Sequence, residues 1–229
     1  NIFSIRFLAG LAVMLSPTVS DFINTKNQSR VVARHDAAIG QLTPEDYSEV
    51  LKAANAYNEY IGSFGNLGSA VNAEAENESS PYKDLLNVSG NGVMGVIKIP
   101  SINVSLPVYH TTEDMVLQVG VGHYIGSSLP VGGSGTHSIL TGHRGLPSAK
   151  LFTDLDQLKV GDQFFIHVLN DILAYEIDQI EVVLPAEVDG LSAVPGEDYI
   201  TLVTCTPYGI NSHRMLIRGT SVPYEAEAE

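Results

Sequence analysis

From Val93 onward the chain is built of short apolar runs, each broken by glycine, proline or polar turn residues. Residues 94–99, 104–109, 120–124, 138–142, 163–168, 174–183, 199–204 and 214–219 each have strand length, and several alternate apolar with polar positions. Eight such runs within about 130 residues constrain the fold more than any other feature, because strands need partners on both sides. Closing them into one barrel removes the exposed edges, and a two-sheet sandwich is the structural alternative. One or two helical turns are expected between Ala149 and Leu158.

The region before Val93 reads differently. Thr43 is placed to cap a helix whose first turn carries Pro44, with Asp46 three positions after the cap. Tyr47, Val50, Leu51, Ala54, Tyr57 and Ile61 then form one apolar stripe, which needs a larger body to pack on. A further helix is expected over residues 24–39. The Gly-, Ala-, Ser- and Asn-rich stretch 62–80, with Glu74, Glu76 and Glu78, reads as an exposed, mobile linker.

Residues 7–15 form the most apolar stretch, but a bilayer span needs about 20 apolar residues and Arg6 interrupts the run. The stretch reads as the outer end of a truncated membrane helix, the alternative being a helix packed on the domain. No Met-led basic region precedes it, so a signal peptide fits less well.

At 229 residues and 44% hydrophobic composition, one substantial core and a smaller appendage can be buried, but not a second full-sized domain. The expected organisation is a partial membrane anchor over 1–19, N-terminal helices with a candidate lid over 20–90, a barrel over 91–221 and an acidic tail over 222–229. Twenty-six acidic against 12 basic residues give a formal charge of -14, and no Lys or Arg run is present. Nucleic acid is therefore excluded as a natural partner.

A single cysteine rules out an intramolecular disulfide and a cysteine-rich metal site. Cys205 ends the run 200–204 and is followed by Thr206, Pro207, Tyr208 and Gly209, so a strand delivers its thiol to a turn. His143 likewise lies where the apolar run 138–142 enters a glycine-bounded turn, and an imidazole there can exchange protons near neutral pH. His137 shares its strand face by two-residue alternation and competes for that role. Nine residues after Cys205, Arg214 is spaced to return beside it, where a guanidinium favours a thiolate and a developing oxyanion. Arg218 shares a face with Arg214, and spacing leaves the choice between them open. His123, His137, His143 and Cys205 supply metal-ligating atoms, but their spacing matches no compact zinc motif.

Residues 86–93 followed by MGVIKIPSINVSLPVYH, then GHYIGSSLPVGGSGTHSILTGHRGLPSAKLF and TLVTCTPYGINSHRMLIRG, resemble the sortases, and most closely the class C, pilin-polymerising sortases of Gram-positive bacteria. The resemblance implies a mainly β, eight-stranded sortase-type barrel with an N-terminal helical appendage. It implies His143 of TGHRG, Cys205 of TLVTC and Arg214 of NSHR as the catalytic residues, and so favours Arg214 over Arg218. The implied reaction is attack of Cys205 on the threonine carbonyl of an LPXTG-like sorting signal. His143 protonates the departing amine, and a pilin lysine amine then resolves the acyl-enzyme into an isopeptide bond. No cofactor or metal is implied.

Class C sortases commonly carry a lid with an Asp-Pro-aromatic motif. Ser80, Pro81 and Tyr82 are the nearest analogue here, without the acidic residue. The resemblance further implies tethering on the outer face of the cell membrane, the present chain being a soluble piece with part of its first anchor. The competing functions are a cysteine endopeptidase that releases the acyl group to water, and a non-enzymatic surface module.

Overall fold

The computed structural model describes residues 2–187 and 189–226. Its centre is a closed barrel of eight strands: β1 (Val93–Ile99), β2 (Val104–His110), β3 (Val121–His123), β4 (Thr136–Thr141), β5 (Gln163–Val168), β6 (Asp171–Val183), β7 (Asp198–Thr206) and β8 (His213–Val222). They close in the order β1-β2-β3-β4-β7-β8-β6-β5. All eight expected strands form, with ends displaced by a few residues, and the barrel rather than the sandwich is the outcome. The expected helical turn after Ala149 is a 3-10 turn at Leu155–Gln157.

Two pairings are parallel, β2 with β3 and β4 with β7, and the rest are antiparallel. Parallel neighbours require a crossover, and the one between β4 and β7 carries the whole of β5 and β6. The barrel is filled by inward positions of successive strands, among them Leu140, Leu202, Ile217, Phe164 and Tyr175, all fully buried. Outward positions of β4, β7 and β8 build a second, smaller apolar cluster. Ile139 and Leu216 join Leu67 and Leu191 there.

Four helices accompany the barrel: α1 (Ile2–Ile39), α2 (Pro44–Gly62), α3 (Leu67–Glu76) and the single turn α4 (Asp114–Leu117). The cap of α2 is the expected one. The Thr43 side chain accepts from the Asp46 amide while the Asp46 carboxylate accepts from the Thr43 amide, which satisfies two donors that the first turn leaves open. Its apolar stripe docks on the barrel, and Asn58 secures it by mimicking a backbone. Asn58 Nδ2 donates to the Leu129 carbonyl at 3.1 Å, and Asn58 Oδ1 accepts from the Leu129 amide at 2.7 Å.

Two expectations for this region change. The helix expected over 24–39 extends back to Ile2 without a break, carrying Pro17 inside it, so no structural boundary falls at residue 19. Among the described residues, no helix is long and apolar enough to cross a membrane. The linker expected over 62–80 contains α3, capped by the Asn66 side chain, which accepts from the Ser69 amide at 2.9 Å. Leu67, Ala70 and Glu74 are buried on its inner face. Glu74 is held because its Oε2 accepts from Ser80 Oγ at 2.6 Å, a partner that composition does not reveal. Of the expected acidic tail, residues 227–229 lie outside the described residues, and Val222 belongs to β8.

Candidate active site

The outer face of β4, β7 and β8 positions the candidate residues. In the parallel β4–β7 ladder Thr141 pairs with Val203. Carried two residues further, the same register sets His143 abreast of Cys205. In the antiparallel β7–β8 ladder Cys205 pairs directly with Arg214. Side chains directly opposite share a face, so Cys205 and Arg214 lie together on the outer face, with His143 in the turn two residues beyond the end of β4. Cys205, His143 and Arg214 are each half-buried and still open to solvent, Cys205 and Arg214 on strand ends and His143 in the turn after β4.

The turn bearing His143 is gripped on all sides. The Gly142 amide donates to the Val203 carbonyl at 3.1 Å, and Thr204 Oγ1 donates to the Gly142 carbonyl at 2.8 Å. The Phe152 amide donates to the His143 carbonyl at 3.1 Å, and the Gly145 amide to Thr153 Oγ1 at 3.2 Å. Glycine is required at two positions. A Cβ on Gly142 would stand 2.5 Å from the Phe152 ring, and Gly145 has φ +77° with the Tyr208 ring 2.9 Å from where its Cβ would be.

His137 lies on the same face of β4 as His143 but six residues away, about 20 Å along the strand. Its Nε2 meets Thr201 Oγ1 at 2.7 Å and its Nδ1 the Ser192 carbonyl at 3.2 Å. Burial pushes its pKa down to about 4. Arg218 sits at that same remote end, paired with Thr201. It forms a two-point ion pair with Asp178, at 3.0 and 2.7 Å, and lies 4.4 Å over the Tyr199 ring. The hydrogen bond to Asp178 raises its pKa, with burial opposing. Arg214 makes no such ion pair among the described residues; its Nη1 donates to the His213 carbonyl at 3.1 Å and to the Asn211 carbonyl at 3.4 Å.

Tyr82 of the candidate lid is placed elsewhere. It is 1% exposed, its hydroxyl meets His123 Nδ1 at 2.9 Å, and its ring meets His110 edge-on. His123 pairs with Leu140, whose side chain faces the barrel interior. Tyr82 is therefore drawn to the inner side of β3, whereas Cys205 lies on the outer face. Ser80 caps this arrangement by bonding Glu74 and accepting from the Tyr82 amide at 3.2 Å, so the tripeptide anchors α3 to the barrel instead of entering the cleft. His123 is fully buried, and burial lowers its pKa to about 4. With His123 inside the barrel and His137 at the far strand end, the four metal-ligating side chains do not converge. Among the described residues no group of three or more His, Cys, Asp or Glu is placed to hold a metal ion.

An apolar groove of about 230 Å³ runs along the outer face up to Arg214. Ile139, Thr141, Val203 and Leu216 form its floor, the connection between β6 and β7 supplies Leu191, and α3 contributes Leu67. The floor follows from the same alternation that sets Cys205 and Arg214 on this face. The walls, drawn from distant segments, carry no local sequence signal.

Residues 97–222 match the sortase domain family. The chain belongs to the sortase family. Among solved structures, sortase C1 from Streptococcus agalactiae is 42% identical with a TM-score of 0.78, covering 86% of this chain and 100% of that one. Sortase C from Streptococcus pneumoniae is 40% identical with a TM-score of 0.75, covering 86% and 98%. Within the family this sortase matches the class C branch. Sortase A of Streptococcus agalactiae serotype III (strain NEM316) is 30% identical over 117 residues, 50% of this chain and 47% of that protein. The chain thus spans about half the length of that curated relative.

Proposed function

We infer that this sortase is a cysteine transpeptidase that cleaves an LPXTG-like sorting signal and passes its threonine acyl group to a pilin lysine amine. The observation that carries this reading is the pairing of Cys205 with Arg214, which lines an apolar groove, beside the turn that bears His143. The groove suits the leucine and proline side chains of such a signal, which would bring the threonine carbonyl to the thiol. Cys205 Sγ attacks that carbonyl, Arg214 stabilises the oxyanion, and the tetrahedral adduct collapses as His143 gives a proton to the departing amine. The thioester left on Cys205 is then attacked by the lysine amine. That amine loses a proton to His143 as the isopeptide bond forms and the Cys205 thiolate is released, which returns to His143 the proton it gave up in the first half-reaction.

The likeness to two sortase C structures supports a pilin substrate over a cell-wall acceptor. It also supports tethering at the outer face of the cell membrane of a Gram-positive bacterium. With Tyr82 inside the barrel, the segment 80–82 does not gate Cys205 in this arrangement; α3, through Leu67, borders the groove instead.

Incubation with an LPXTG-like peptide and a lysine-bearing pilin acceptor is expected to give a covalent conjugate. Hydrolysis alone, under conditions that support pilin assembly, would instead make this chain an endopeptidase. Normal function in folded C205A would favour a non-enzymatic module.

A further inference from the structure

Beyond His143, Cys205 and Arg214, we propose that Arg144 is a positioning residue that fixes the His143 imidazole against the Cys205 thiol through Thr206 and Asp156. The proposal rests on the transpeptidase reading above. Arg144 follows His143 directly, and Thr206 follows Cys205. Backbone pairing between β4 and β7 ends with the Gly142 amide on the Val203 carbonyl; beyond it Cys205 and Thr206 pair with Arg214 and His213 of β8, and the Arg144 side chain reaches across to Thr206. Arg144 Nη1 donates to Thr206 Oγ1 at 3.1 Å. Its Nη2 forms an ion pair with Asp156.

The Arg144 side chain is only 8% exposed, and its Nε is buried without a partner. A surface ion pair does not require such burial, and an unpaired buried N–H is costly. The fork geometry of a guanidinium explains the choice, since one planar group reaches two acceptors on different segments at once. Asp156 sits in the 3-10 turn Leu155–Gln157, whose Leu155 is fully buried in the core. The same segment holds the His143 carbonyl through Phe152 and the Gly145 amide through Thr153. A rigid buttress thus connects through Arg144 to the residue beside the nucleophile. The consequence falls on proton delivery: if the imidazole drifts, the thiol still reacts, but the departing amine leaves poorly.

The test compares an amide-linked sorting peptide with its ester-linked counterpart, whose alcohol leaves with less need of a proton. T206V keeps the side-chain volume and removes the acceptor, R144M removes the fork, and T206S restores the hydroxyl. For T206V and R144M, kcat on the amide is expected to fall by about 10- to 100-fold with KM within about twofold. The ester rate should fall less than about threefold, and alkylation of Cys205 by iodoacetamide should be unchanged. T206S should recover the amide rate, and the R144M/T206V pair should be no slower than R144M alone. Equal losses on amide and ester in variants that melt like the parent, or full amide turnover in T206V, would overturn the proposal. If the parent enzyme forms no thioester at all, the transpeptidase reading fails instead, which separates the two outcomes.

Discussion

At the residue scale, the division between Arg214 and Arg218 is decided by what each touches. Arg218 is held by Asp178 and Tyr199 beside Thr201, whereas Arg214 stands opposite Cys205 and, among the described residues, bonds the carbonyls of His213 and Asn211. Loss of Arg214 should therefore act on the transition state, and loss of Arg218 on the fold. R214A is expected to lower kcat/KM for an LPXTG-like peptide by about 10²- to 10³-fold, the usual effect of removing an oxyanion donor. R218A should leave turnover within a few-fold and cost roughly 1 kcal/mol of stability, as a partly exposed ion pair with one ring contact does. Parallel steady-state kinetics and thermal melts check both, and the reverse pattern would exchange the two roles. Spacing narrows the arginine to two positions on one strand face, the resemblance favours Arg214, and the register against β7 sets Arg214, not Arg218, opposite Cys205. The same holds for His137 and His143, which alternation places on one face and which strand length puts at opposite ends.

At the scale of elements, what was legible is what local chemistry determines. The capping box at Thr43 and Asp46, the stripe of α2 and the eight strands all follow from spacing within a few residues. What was not legible depends on partners far away in the chain. α3 was read as a mobile linker because small and acidic residues carry no apolar stripe, yet Ser80, Gly126 and Ser192 give it a place. Ser192 Oγ accepts from the Leu67 amide at 3.3 Å, and Gly126 has no Cβ where Val71 packs. Tyr82 shows the same limit. Its motif position suggested a lid, but His123 and His110 supply a stronger buried site. The turn after β4 offers the sharpest test at this scale. G142A would drive a methyl group into the Phe152 ring, and overpacking of this kind typically costs about 1–3 kcal/mol. Because His143 is the next residue, its turnover should fall more than its melting temperature alone explains. A G142A enzyme of normal activity and lowered stability would show that the turn tolerates displacement.

At the scale of the whole molecule, buried histidines tie stability to pH: burial lowers the pKa of His35, His110, His123 and His137. His123 and His137 each have their folded pKa pushed down by burial from the ordinary 6.5 to about 4. Depressed in the folded state, both prefer the neutral form there, so the unfolded chain takes up protons first as pH falls. Their contribution is complete above about pH 6.5 and is lost as pH falls through about 4. Denaturation midpoints should decline across that window, and H137Q should decline less steeply than the parent; identical slopes would remove His137 from the account. The central claim, however, concerns chemistry on one sulfur, that of Cys205, opposite an arginine that lines an apolar groove. Mass spectrometry of the intact protein after brief exposure to an LPXTG-like peptide tests it most directly. An acyl adduct mapped to Cys205, absent in folded C205A and discharged by an added pilin lysine, is the predicted result; a folded enzyme that never acquires the adduct would contradict it.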